Sequence, residues 1–355
     1  MRRGRLTPRK NFQPADDAIR ALAEKHESAV ALKMHGALKH LRTLVPVDKV
    51  AHALQHGNSS HVISAIAFDH YAEVLKEPIG LLGDVYEAAG RHGAVKLAGA
   101  MLRGGKRLRY RPSQFRKDVG DGFDFDRFDA GTQKRLRDLV DSLITDLGDS
   151  ARDTINSVVI DGVRAGDSFD EIAANIRDTI SLTPNQAQAV ASYRRALEDL
   201  DSNALGRALR DTSFDSAIQD AIDSGEFLDD SLIQEAVDAY LENYLDHRAS
   251  TIARTESLRA GNAGLRDSYT QAAERGVIPE AAVKRIWLID RDERTCPICL
   301  SIIDMNPDGV GLSDDFESED GPIDDPPVHP NCRCTVQYET DLDMVPDTPV
   351  EEEAA

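Results

Sequence analysis

Most of the chain repeats its apolar positions with a helical period. Ile19, Leu22, His26, Val30, Met34, Ala37 and Leu41 form one stripe, which predicts an amphipathic helix from Pro14 to Pro46. The pattern predicts further helices over Val47–Gln55, Ser59–Leu75 (ending before Pro78) and Ile79–Leu102, the last broken by glycines. Phe128–Gly148 carries Leu136, Leu139, Val140, Leu143 and Leu147 on one face, and Ser150–Ala165 continues it. Ser168–Glu171 and Thr183–Gln186 have the spacing of capping boxes, the second with Pro184 at the first helical position. Short helices fill 187–225, and a long helix runs over 231–275 until Gly276 and Pro279. Only near the C-terminus does the period change to that of strands, at Lys284–Asp290 and Thr335–Glu339.

This pattern gives a mainly α fold: a multi-helical body with a small C-terminal α+β module and an acidic tail. The expected organisation is a basic arm at 1–13, an N-terminal helical domain at 14–120, a helical region at 121–260, a Cys/His module at 261–339 and a disordered acidic tail at 340–355. The tail is assigned because its few apolar residues cannot offset the entropy of ordering it. No run of about eighteen apolar residues occurs, so no membrane span is expected. The basic N-terminus lacks the apolar stretch of a secretory signal.

The net charge of −20 is unevenly placed. Residues 301–355 hold sixteen Asp or Glu against Arg333, a balance of −15. Basic residues cluster instead in 101–117, where Arg103, Lys106, Arg107, Arg109 and Arg111 are interleaved with Tyr110 and Phe115. Those five are the candidate nucleic-acid contacts, because basic residues with aromatics can follow a phosphate backbone. An inter-domain linker is the plainer reading of the same window. His52 and His56 sit one helical turn apart but have no evident third ligand.

All four cysteines lie between Trp287 and Cys334. Cys296-Pro-Ile-Cys299 has the spacing by which one tight loop presents two thiolates to zinc. His329-Pro-Asn-Cys332-Arg-Cys334 offers three donors for the two remaining positions, leaving His329 or Cys334 as the alternative fourth ligand. Confinement of the cysteines to one module favours a structural zinc over disulfides or free thiols. There is no Gly-rich phosphate loop after a strand and no G-x-S-x-G motif. A catalytic use of the module would need a free base and open metal positions. His247 and His329 are the only histidines in this half, so no enzyme is expected and no small-molecule substrate.

Arg254-Thr255-Glu256 late in the long helix, Trp287, Thr295-Cys-Pro-Ile-Cys299 and Pro326-Pro-Val-His-Pro-Asn-Cys-Arg-Cys334 together resemble the phage Mu F-like minor head proteins, or head morphogenesis proteins. The resemblance covers roughly Gly166 to Tyr338. It implies a minor capsid component of a tailed phage or prophage, located inside the head near the portal. It implies the portal and other head proteins as partners, host cytoplasm during assembly, and a role in assembly and genome packaging or delivery. It implies no catalytic residues. The alternative is a DNA-binding or metal-dependent nuclease-like protein acting on phage DNA.

Overall fold

The computed structural model describes residues 17–57, 59–66, 68–104, 106, 123–289 and 295–345. The basic arm, Arg107, Arg109, Arg111 and residues 346–355 lie outside these. Among the described residues the chain forms eleven α-helices: α1 Asp17–Thr43, α2 Val47–His56, α3 Ser59–Ala65, α4 Tyr71–Val74, α5 Lys76–Arg103, α6 Ala130–Ala165, α7 Phe169–Thr179, α8 Pro184–Glu198, α9 Asp215–Ser224, α10 Asp230–Glu274 and α11 Pro297–Met305. Three strands, β1 Val283–Leu288, β2 Val310–Gly311 and β3 Thr335–Thr340, make one antiparallel sheet in the order β2-β1-β3. The mainly α class with a small C-terminal α+β module is therefore the observed one. No helix among the described residues is long and apolar enough to cross a membrane.

The residues form two compact units. One comprises the described residues within 1–28, 81–137 and 254–355, and the other those within 29–80 and 138–253. Each is drawn from separated stretches, whereas the sequence reading divides the chain into consecutive blocks.

In the second unit the α1 stripe is buried at Val30, Met34, Leu38 and Leu41, as its period predicts. Both capping boxes form. Ser168 accepts from the Glu171 N–H while the Glu171 carboxylate accepts from Ser168 N–H, and Thr183 and Gln186 repeat the exchange. The Ser181 hydroxyl donates to Leu38 O at 2.6 Å and Thr154 to Leu182 O at 2.8 Å, tying turns to helices through buried polar bonds. The helix expected over Ser59–Leu75 is instead broken. Phe68 N–H turns back to Ile66 O at 3.1 Å, so the ladder restarts as a 3-10 turn at Phe68–His70 before α4.

α5, most of which lies in the first unit, is continuous, and the glycines expected to interrupt Ile79–Leu102 do not break it. Pro78 lies in its first turn, where the missing N–H would have had no helical partner. Gly93 of α5 and Gly264 of α10 serve close approach. A Cβ on Gly93 would strike the Ser268 hydroxyl, and one on Gly264 would strike the carbonyl of Tyr86. At that spacing α5 and α10 bury a short polar set between them. Tyr86 donates to the fully buried Asp267, which also pairs with Arg135. Burial pushes the Asp267 carboxyl up, and those two partners act against the shift. Gln271 adds a second set, accepting from Asp126 N–H at 2.9 Å and donating to Asp126 O and Thr132, each at 2.8 Å.

Residues 340–345, expected in the tail, belong to structured elements or pack against the body. β3 runs to Thr340, Leu342–Met344 form a 3-10 turn, and Val345 is buried with its carbonyl accepting from Lys106 Nζ at 2.8 Å. Leu342 and Val345 supply the apolar anchors that the acidic composition hides.

The helix glycines yield a paired expectation. Gly264→Ala should lower unfolding free energy by about 1–3 kcal/mol through overpacking against Tyr86. Gly83→Ala has nothing within 4 Å of the added Cβ and should raise stability by up to about 1 kcal/mol. Urea unfolding of the two variants measures both.

Candidate metal centre

The site is assembled at one end of the sheet from two short segments. Cys296 is the N-cap of α11, with its sulfur accepting from Cys299 N–H at 3.3 Å and Pro297 at the first helical position. The helix therefore fixes both thiols of the C-P-I-C loop one turn apart. Burial disfavours the Cys296 thiolate, but the Cys299 N–H and nearby His329 outweigh it, and the net shift is downward.

The second segment is a turn. Cys332 N–H donates to His329 O at 3.2 Å, and Asn331 has φ 59°. Proline second and a positive φ third are what a type II turn requires, so Pro330 and Asn331 are explained by backbone geometry. The turn aims His329 Nε2 at both thiols of the first segment, 3.1 Å from Cys296 Sγ and 3.3 Å from Cys299 Sγ. Cys332 Sγ lies 3.9 Å from Cys299 Sγ. Nδ1 of His329 stands 2.9 Å from Pro330 O, which can only accept, so in the neutral ring Nδ1 carries the proton and Nε2 keeps the lone pair a metal would need.

These separations can be compared with a tetrahedral centre. Zinc bonds of about 2.3 Å to sulfur and about 2.0–2.1 Å to nitrogen place sulfur and nitrogen about 3.5 Å apart, and two sulfurs about 3.8 Å apart. The donor set is thus positioned to hold a metal ion. Two overlapping triads occur, Cys296–Cys299–His329 and Cys299–Cys332–Cys334, with Cys299 common to both. All four cysteines are free thiols, and Cys299, Cys332 and Cys334 are buried. Crowding by Cys332 and Cys334, with burial, pushes the Cys299 thiol up; a cation among the sulfurs would relieve that repulsion.

One face of α10 holds these segments in place. Thr255 Oγ1 accepts from Asn331 N–H at 3.0 Å, Asn262 Nδ2 donates to Pro326 O at 3.1 Å, and Arg266 pairs with Asp324 and Asp325. Tyr269 stacks on Tyr338 of β3 with ring centroids 4.5 Å apart. Positions 255, 262, 266 and 269 fall within a narrow arc at 100° per residue. From α1, Arg20 Nη2 donates to Arg333 O at 3.1 Å. Glu256 pairs with Arg259 at 3.1 Å along the helix.

The acidic excursion between the two segments is anchored by Arg285, which sequence reasoning did not single out. Its side chain is fully buried between Val283 and Trp287 on the inner face of β1. It donates to Gly311 O at 3.2 Å, Asp324 O at 2.9 Å, Asp325 Oδ1 at 3.0 Å and also Asp314 O, and lies over the Phe316 ring. Burial pushes the Asp325 carboxyl up to about 6 against the opposing pull of Arg285 and Arg266. α11, which starts in the C-P-I-C loop, and β2, in the excursion, were likewise not expected from the sequence.

Against this geometry the chain's relatives can be placed. Residues 212–337 match the family described as Phage Mu protein F like protein. That is the family the motifs resemble. No curated protein and no solved structure gives a significant match. The Mu F-like region contains Thr255, Arg285, both Cys/His segments and most of β3, and begins at 212 rather than near Gly166.

Outside the Mu F-like region, Arg103 is exposed at the end of α5, and Lys106 is engaged with Val345 O. The other three candidate nucleic-acid contacts fall outside the described residues. Asp292 and Glu293, beside Cys296 in sequence, also fall outside them.

Removing the Thr255 hydroxyl tests the helix latch. Thr255→Val should cost about 1–3 kcal/mol, because a buried acceptor for Asn331 N–H is lost, whereas Thr255→Ser should cost far less. Equal losses in urea unfolding would argue that packing, not the hydrogen bond, matters at this position.

Proposed function

We propose that this chain is a minor head (head morphogenesis) protein of a tailed phage or prophage. In this reading it acts inside the head near the portal, in head assembly and genome packaging or delivery, and uses one zinc as a structural staple. The observation that carries the reading is the coincidence of the Mu F-like match with the helix-held Cys/His cluster. Four ligands would be Cys296, Cys299, His329 and Cys332, with Cys334 as a surplus buried thiol. The support for His329 over Cys334 is its fixed tautomer and its near-equal distances to both thiols of the first segment. Bound zinc would neutralise thiolates and cross-link two chain segments; with four protein ligands it leaves no position for substrate.

A role in cleaving DNA has less support. The Nε2 of His329 faces two sulfurs and is poorly placed as a base. The excursion next to the site carries Asp308, Asp314, Asp315, Glu317, Glu319 and Asp320, which repel phosphate.

Two measurements test the reading. Metal analysis of the purified full chain should give about one zinc per chain, retained in Cys334→Ser and lost in Cys296→Ser, Cys332→Ser and His329→Ala. A folded, metal-free protein would sink the zinc assignment, and loss of metal in Cys334→Ser with retention in His329→Ala would exchange those two ligands. Separately, co-expression with the portal protein encoded by the same genome should yield a complex on size exclusion. Its absence, with no incorporation into assembled heads, would overturn the head role.

A further inference from the structure

The second unit contains a buried cation that no acidic side chain answers. Arg248 is 7% exposed, yet no carboxylate among the described residues lies within ion-pair distance of its guanidinium. Among the described residues its one hydrogen bond runs from Nη2 to Ser150 Oγ at 3.1 Å, and Nε has no partner. A second deeply buried guanidinium among the described residues, Arg285, has Asp325 at 3.0 Å. Arg248 differs in kind.

Its neighbours share the deficit. Tyr71 is 3% exposed and its hydroxyl also lacks a partner. The positive charges of both Arg248 and Arg152 act on that phenol. Arg152 lies over the Phe68 ring at 4.7 Å, and Phe68 packs on Tyr71 with centroids 5.2 Å apart. Arg152 already has Asp149 at 2.6 Å, so the uncompensated charge is that of Arg248.

A guanidinium taken out of water without a counter-charge is strongly unfavourable, and a phenol left unpaired beside it adds to the cost. We propose that Arg248, Tyr71 and Ser150 form a binding site for a small oxyanion, a phosphate or a carboxylate group. The donors suit one. The guanidinium presents a planar fork matched to paired oxygens. Ser150 Oγ accepts from Arg248 and keeps its own hydrogen to donate, and Tyr71 supplies a further O–H. Burial restricts the ligand to a compact terminal group and excludes a duplex backbone, whose phosphates are flanked on both sides. The site lies outside the Mu F-like match, apart from Arg248 itself. Consistent with the deficit, burial draws the Arg248 pKa down to about 10, with only Tyr71 acting to raise it.

Thermal unfolding of the full chain provides the test, in potassium phosphate, potassium acetate and potassium chloride at equal ionic strength and pH 7. The expected result is a saturable rise in unfolding temperature in phosphate, in acetate or in both, relative to chloride. Arg248→Met should abolish that rise while leaving the protein in chloride at least as stable as before, since the uncompensated charge is gone. Tyr71→Phe and Ser150→Ala, which keep the packing, should each weaken the apparent affinity about tenfold, and they carry the test if Arg248→Met does not fold. A phosphate-only response assigns a phosphate group, and an acetate-only response a carboxylate. No response beyond chloride in the parent, or a response unchanged in all variants, overturns the site.

Discussion

A single buried guanidinium fixes the part of the chain that contains the cysteines. The sheet has only three strands, one of them two residues long, and the excursion after α11 is acidic and poor in apolar residues. Hydrophobic burial alone gives such a segment little reason to adopt one path. Arg285 gives it one, gathering three carbonyls and the Asp325 carboxylate from positions 311–325 around a strand residue. The arrangement is tolerable in the interior because nearly every donor of the fork is used and a second arginine, Arg266, shares the carboxylates. The acidity of the excursion is therefore partly internal wiring, and only the remainder is a solvated face.

The long helix supplies the other half of the constraint. Thr255, Asn262, Arg266 and Tyr269 each hold a different part of the segment from Asp324 to Tyr338, so the His-Pro-Asn-Cys turn reaches the first cysteine pair already shaped. This gives the Arg-Thr-Glu signature a physical content at its middle residue. Thr255 holds the backbone N–H of Asn331, the residue whose positive φ closes the turn. A metal at the cluster would meet donors whose orientation is set by neighbours as much as by the ion.

Much of this was readable in the sequence, and the misses have physical causes. The stripe of α1, both capping boxes and the limits of α10 were legible because local periodicity and local hydrogen bonding decide them. The cysteine cluster was legible because ligand spacing is local within each half. Arg285 was not, since strand alternation buries either Val283, Arg285 and Trp287 or Lys284, Ile286 and Leu288, and with one charged residue in each set the alternation does not choose between them. The one available signal was Trp287, which shares the parity of Arg285. Glycines in α5 misled for a related reason: propensity counts their cost in an isolated helix, while the use of Gly93 lies in its close contact with Ser268 of the neighbouring helix. Residues 341–345 were missed because composition averaged over the sixteen residues 340–355 conceals two apolar anchors, Leu342 and Val345.

The interleaving of the two units has a consequence for how the chain is made. The second unit draws on nothing beyond residue 253, so its whole complement is available once that point has left the ribosome. The first unit needs residues 17–28 together with the described residues from 254 onward, including the strand that follows the last cysteine. Ile19 and Arg20 must therefore wait through most of translation for Gly261 and Arg333 to emerge. During that interval the apolar start of α1 is without its native cover, and a nascent chain stalled short of the cysteine module would carry it exposed to quality control.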